Sequence, residues 1–226
     1  MQFKLLIVSA FFAASASAST GKLGDAAVIT DNPAGASYVA TFLNGTVTGS
    51  AKFSTAGNRT GVEVSLDLKG FKGATGPYAY HIHEQPVPAS GNCNGTLGHL
   101  DPYQRGQVVD PCDPKFPATC EVGDLAGKHG KIPNSNGSTL EVYLVFVDNY
   151  ISTKPGISAF IGNRSIVIHN GVGGRIACAN LTVGGVKSPV APSPSTGPVS
   201  PASGASAVTV SGFLGLAAFM VAALAL

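Results

Sequence analysis

Period-two alternation dominates the middle of this chain. "GVEVSLDLKG" (61–70) sets Val62, Val64, Leu66 and Leu68 against Glu63, Ser65 and Asp67, the pattern of a strand with one face buried and one face wet. "ASYVATFLN" and "TVTGSAKFST" flank Asn44-Gly45, a pair that favours a hairpin turn because both residues tolerate a positive φ. "TLEVYLVFVDN", "NRSIVIHN" and "GRIACANLTV" are apolar, β-branched runs and read as further strands. No stretch carries a long amphipathic helical stripe. Many short strands separated by Gly, Pro and Asn clusters predict an all-β sandwich or barrel.

One interval breaks the pattern. From Gln85 to Ser138 there is little strand signal and much Pro, Gly, Asn and Asp. A loop of that length inside a compact domain is usually functional. It carries Cys93, His99, Cys112, Cys120, Glu121, Asp124 and His129.

The two ends are apolar and stand outside this pattern. Residues 1–18 combine Lys4, a short apolar run and "ASA" at 16–18, which predicts a secretory signal peptide cut after Ala18. Residues 187–206, "KSPVAPSPSTGPVSPASGAS", are rich in Pro and Ser and read as a stalk. Residues 207–226 form an uncharged apolar tail preceded by Ser203-Gly204-Ala205. This is the pattern of a removable GPI-anchor signal, with Ser203 or Gly204 as the attachment residue. One domain, 19–186, remains between these ends.

The formal charge of +2 includes Lys4 of the signal, so the mature chain is expected to be nearly neutral. No basic block points to nucleic acid. Asn44, Asn58, Asn94, Asn136, Asn163 and Asn180 each begin an Asn-X-Ser/Thr sequon, as suits a secreted glycoprotein. Asn94 and Asn180 lie near cysteines and are expected to be less accessible. All four cysteines fall within the domain. An oxidising compartment makes two disulfides the expectation, with three pairings open.

The candidate chemistry begins at "YHIHE". On a strand, His81 and His83 share a face and Ile82 points the other way. Two imidazoles on one face make half of a metal site, the bland alternative being a polar solvent face. His169, ending "SIVIH", and His99, from the long interval, raise the set to four of the chain's five histidines. Four imidazoles suit copper, zinc or iron, and an extracellular site without thiolate favours copper or zinc.

These residues, in this order, resemble the copper/zinc superoxide dismutases. The resemblance rests on His81-Ile82-His83, Cys93 six residues before His99, Val122-Gly123-Asp124, His169, and Arg175-Ile176-Ala177-Cys178. It extends from about Thr41 to Leu181. It implies a Greek-key β-barrel or sandwich with a long disulfide-bonded site loop. It implies copper ligation by His81, His83 and His169, with His99 in the place of the histidine that bridges copper and zinc. Arg175 stands where the family attracts the superoxide anion. Cys93 with Cys178 matches the family disulfide, which leaves Cys112 with Cys120.

Two departures qualify the match. Glu121 and Gln107 stand where the family has zinc histidines, and His129 lies at the wrong spacing to replace either. Zinc is therefore expected to be absent or weak, with one copper per chain. Only Asn170 to Gly174 separate His169 from Arg175, where the family has a long charged loop, so the copper is expected to be more open. Both departures resemble the fungal copper-only members, which are extracellular and often GPI-anchored.

Asp124 is expected to orient His99, since metal-bound histidines usually give their other N–H to a carboxylate or carbonyl. Glu121 is expected to support it in proton relay, and His129 to be a loop residue. The activity implied is dismutation of superoxide to oxygen and hydrogen peroxide at the cell surface. The competing reading is a non-catalytic copper-binding or structural cell-wall protein on the same fold. Arg175 favours the enzyme, since a storage module needs no anion guide.

Overall fold

The structure, a computed structural model, describes residues 20–107 and 111–184. The expected signal peptide, stalk and tail, with Ser203 and Gly204, lie outside the described residues.

The alternation read from the sequence becomes strands in two antiparallel sheets. They are β1 (Ser37–Phe42), β2 (Val47–Thr55), β3 (Val62–Gly70), β4 (Ala79–His83), β5 (Leu140–Asp148), β6 (Ser165–His169), β7 (Arg175–Asn180) and β8 (Thr182–Val183). The larger sheet runs β5-β3-β2-β1-β8 and the smaller β4-β6-β7. The chain thus leaves the large sheet after β3 and returns to it at β5, which pairs with β3 from Val62↔Asp148 to Gly70↔Leu140. The long interval bridges that excursion.

β3 shows why the fold forms. Val62, Val64, Leu66 and Leu68 are all buried while Glu63, Asp67 and Lys69 are exposed. Phe53, Val64 and Leu66 meet Tyr80, Ile82, Ile166 and Ile168 of the small sheet in a single apolar cluster. Burying such side chains contributes roughly 1.5–3 kcal/mol each, so the inter-sheet core carries most of the stabilisation.

β4 departs from simple alternation, being buried from Tyr80 to His83. Tyr80 and Ile82 enter the core, and the long interval covers the opposite face. It does so by backbone pairing. Ile82 N–H donates to the Gly123 carbonyl at 2.9 Å, Gly123 N–H to Leu100 at 2.7 Å, and Leu100 N–H to Ile82 at 2.8 Å. This closed ring of three bonds admits no side chain at 123, because a Cβ there would lie 2.3 Å from the Ile82 carbonyl oxygen. It places His99 and the segment from Glu121 to Asp124 beside the two strand histidines.

Three expectations change. "GRIACANLTV" is not one strand. β7 belongs to the small sheet, and β8 pairs with β1 in the large one. The chain crosses at buried Leu181, whose N–H donates to Arg164. The interval from 85 to 138 is not wholly irregular. Its described residues hold two short 3₁₀ turns and one helix, α1 (Leu125–His129). All six sequon asparagines are exposed, so proximity to cysteine hides neither Asn94 nor Asn180. The Asn180 amide is nonetheless engaged, accepting Val87 N–H at 2.6 Å and donating to the Val87 carbonyl at 3.3 Å.

Disulfides join Cys93 to Cys178 and Cys112 to Cys120. The first ties the interval to β7 across 85 residues of sequence.

Candidate metal centre

β4 presents His81 and His83, β6 ends in His169, and the paired interval adds His99. One ligand nitrogen from each ring lies within 4.8 Å of the other three. What they can bind follows from their protons.

The His83 Nδ1 faces the Leu97 carbonyl at 3.0 Å and the His169 Nδ1 faces the Gly173 carbonyl at 3.0 Å. A carbonyl only accepts, so both Nδ1 atoms carry hydrogen. Both Nε2 atoms then carry lone pairs, yet they face each other at 3.2 Å. Two lone pairs at that distance repel unless a cation sits between them. His81 differs: its Nε2 faces Asp124 Oδ1 at 3.3 Å, so that nitrogen is the donor. Its Nδ1 is buried with no partner. His99 gives Nδ1–H to Glu121, which frees Nε2. Each ring therefore has one nitrogen held by an acceptor and one left for the centre, as in metal sites whose second shell fixes the tautomer.

Burial reinforces this. It lowers the pKa of His81 to about 4, against the opposing pull of Asp124. Burial, joined by the neighbouring His99, lowers that of His83 to about 3. It also lowers that of His169. These three rings are neutral at physiological pH, which is the metal-ligating form. Asp124 is held below the usual carboxylate range. Burial pushes it up, but the His81 hydrogen bond and the Gly127 N–H outweigh that.

Arg175 secures the surroundings. Its Nη1 donates to the Cys93 carbonyl at 2.7 Å and the Thr96 hydroxyl oxygen at 2.9 Å. Its Nη2 donates to the Leu97 carbonyl at 2.5 Å, the oxygen that also accepts from His83. Leu97 has φ 60°, rare for a non-glycine residue. Strain of that kind persists only where neighbours over-determine the backbone, and here two donors converge on its carbonyl. His81, His99, His169 and Arg175 line a cleft of about 380 Å³, behind which His83 is fully buried.

The family model for copper/zinc superoxide dismutase (SODC) matches residues 47–181. The chain belongs to the copper/zinc superoxide dismutase family. Its relatives include a cell surface Cu-only superoxide dismutase of Arthroderma benhamiae, 39% identical over 192 residues, or 70% of this chain and 49% of that protein. Cell surface Cu-only superoxide dismutase 5 of Candida albicans is 44% identical over 163 residues, covering 71% of this chain and 67% of that one. The chain thus spans about half of the first relative and about two thirds of the second. The solved Cu(II) structure of Candida albicans superoxide dismutase 5 superposes with TM-score 0.55 and 42% identity, over 66% of this chain and 92% of that one. The all-β fold of two antiparallel sheets is therefore that of the superoxide dismutases.

Against this family frame, the structure reassigns two carboxylates. His99 pairs with Glu121 rather than Asp124, and Asp124 pairs with His81. Asp124 caps α1, accepting Gly127 N–H at 2.7 Å, and this turns its carboxylate towards β4. His129 ends α1 and pairs with buried Asp148 at 2.8 Å, away from the cluster. Gln107 lines the cleft. The Leu97 and Gly173 carbonyls against His83 and His169, and the Thr96 hydroxyl against His83 and Arg175, are contacts that the sequence did not reveal. A carbonyl is common to every residue, so no residue type signals it.

Proposed function

We propose that this chain is an extracellular superoxide dismutase that uses one copper and no zinc. The observation that carries the metal reading is the pair of facing His83 and His169 lone pairs, joined by the orphaned His81 Nδ1 and the free His99 Nε2. Copper, when bound there, would supply one-electron cycling, taking an electron from one superoxide and passing it to a second. Zinc has no redox chemistry to offer for this. The names of the Arthroderma benhamiae protein and of Candida albicans superoxide dismutase 5, both Cu-only enzymes of the cell surface, support the same reading.

The chain's own residues have distinct tasks. His81, His83, His99 and His169 would hold the metal. Asp124 orients His81, and the carbonyls of Leu97 and Gly173 orient His83 and His169. Glu121 accepts from His99 Nδ1, and it is assigned a supporting role in proton relay through that ring. Arg175 lends the cleft a positive charge for an anionic substrate. That charge favours turnover over mere copper storage.

The absence of zinc is supported by the use already made of the carboxylates. Glu121 and Asp124 each accept from a histidine of the cluster. Among the described residues, the candidate metal group contains the four histidines and no carboxylate. Elemental analysis after reconstitution with both metals tests this, with one copper and no stoichiometric zinc expected. One tightly held zinc per chain would contradict it.

The domain plan extends the proposal. Residues 1–18 are removed, 19–186 form the catalytic domain, 187–206 a stalk, and 207–226 are exchanged for a GPI anchor at Ser203 or Gly204. Phosphatidylinositol-specific phospholipase C is expected to release the membrane-bound form, and a mature chain retaining 207–226 would refute the anchor. Glycans are assigned to Asn44, Asn58, Asn94, Asn136 and Asn163. Asn180 is set apart because its amide already holds Val87.

A further inference from the structure

The metal cleft contains a charge that neither the ligand set nor Arg175 accounts for. Lys131 lines it together with Arg175, His81, His99 and His169. Among the described residues, no Asp or Glu side chain lines it. Glu121 and Asp124 lie behind the rings, committed to them. The described lining is thus positive without a compensating carboxylate.

The two cations differ in what they are free to do. The Arg175 guanidinium spends three N–H donors on Cys93, Thr96 and Leu97, so much of its hydrogen-bonding capacity serves the loop. Lys131 is exposed and makes no hydrogen bond or ion pair with any described residue. Its backbone, by contrast, is fixed on both sides. Gly130 ends α1 with an N–H to Ala126 at 2.9 Å, and Ile132 exchanges two backbone bonds, of 2.8 and 2.9 Å, with Tyr78. Tyr78 immediately precedes β4. Exposed Lys131 is therefore anchored next to Ile132, whose backbone partner Tyr78 stands three residues before His81.

The cleft itself offers little steric guidance. At about 380 Å³ it holds roughly a dozen waters at about 30 Å³ each, far more than a two-atom anion needs. Capture in so open a space depends on the field at the mouth. Clefts lined by one sign of charge raise encounter rates by about 10- to 1000-fold.

We propose that Lys131 is a second anion-capturing cation of this centre, drawing small anions towards the metal alongside Arg175. The identity of that anion as superoxide rests on the dismutase reading above; the capture of small anions does not. Lys131 would supply, from the segment after α1, charge that the short connection between His169 and Arg175 lacks.

The test uses the copper-loaded mature protein and compares Lys131→Gln, Lys131→Arg and Lys52→Gln with wild type. Lys52 is an exposed residue of β2 outside the cleft, so it controls for net charge. Azide affinity, followed by the absorbance of the azide–copper complex, reads anion capture without turnover. Superoxide decay at low and high salt reads the same field during reaction. Lys131→Gln is expected to weaken azide and slow decay by about two- to five-fold at low salt, one charge's share of the steering. The gap should close at 1 M salt, where screening acts over about 3 Å. Lys131→Arg should behave as wild type, and so should Lys52→Gln. Unchanged azide affinity in Lys131→Gln, or equal losses in Lys52→Gln, would overturn the proposal. Azide binding that depends on Lys131 in a protein that leaves superoxide untouched would uphold the anion site and sink the dismutase reading instead.

Discussion

Replacing Arg175 with alanine should separate its two functions. The side chain donates three hydrogen bonds, two of them to the backbone of Cys93 and Leu97. Hydrogen bonds from charged donors are worth about 1.5–3 kcal/mol each, but this guanidinium is half-exposed and water can replace part of what is lost. A loss of about 2–3 kcal/mol in the copper-free protein is the expected outcome. It should appear as a lower urea midpoint with an unchanged slope. The Leu97 carbonyl also accepts His83 Nδ1–H, so its release should weaken copper affinity while leaving one copper per chain at saturation. The superoxide reaction should slow at least about tenfold as the anion loses its charge partner. Arg175→Lys discriminates between the functions. One ammonium restores charge but cannot span three acceptors as the planar fork does, so the rate should recover in part and the urea midpoint should not. If Arg175→Ala unfolds at the wild-type midpoint, the hydrogen bonds do not hold the loop. If lysine restores both quantities, the fork geometry is irrelevant.

Three further substitutions probe α1 and its partners. Lys128 Nζ and Asp148 Oδ2 meet at 2.7 Å with both side chains fully buried, so Lys128→Met should cost about 3–5 kcal/mol, and pairing it with Asp148→Asn should recover part of that by denaturant titration. Burial pushes the Asp148 pKa up, but Lys128, His129 and backbone N–H groups outweigh it and leave it depressed; its contribution is therefore present above the unfolded carboxylate pKa of about 3.9 and lost as pH falls further, so the advantage of wild type over Asp148→Asn should shrink in acid. A Cβ at position 127 would lie 2.2 Å from Asp124 Oδ2 and 2.7 Å from the Cys112 Cβ. Gly127→Ala should therefore displace the carboxylate from His81 and lower copper affinity, read by competition with a chelator, while circular dichroism shows the sheets intact.

The strands were legible because a half-buried sheet imposes period two, and β3 displays it at every position. The imidazole pair was legible for the same reason, since His81 and His83 must share a face. The division of labour between Glu121 and Asp124 was not. They stand three residues apart in one turn, and only the cap of α1 decides which carboxylate turns to β4. The change of sheet between β7 and β8 was hidden because no Gly or Pro interrupts the run from Arg175 to Val183, and the crossing at Leu181 depends on a partner, Arg164, from another part of the chain. The Lys128–Asp148 pair was invisible for a related reason. A lysine in "AGKHGK" reads as solvent-facing until the fold lays β5 beside it.

Four histidines and an open cationic cleft are proposed to make this chain a copper dismutase. The most direct measurement is the decay of pulse-generated superoxide by the copper-loaded, zinc-free domain, with metal content determined on the same sample. One copper per chain is expected, with decay near the diffusion limit of about 10⁸–10⁹ M⁻¹s⁻¹ for which superoxide dismutases are a standard example. A sample with full copper in which superoxide decays no faster than in buffer alone would contradict it.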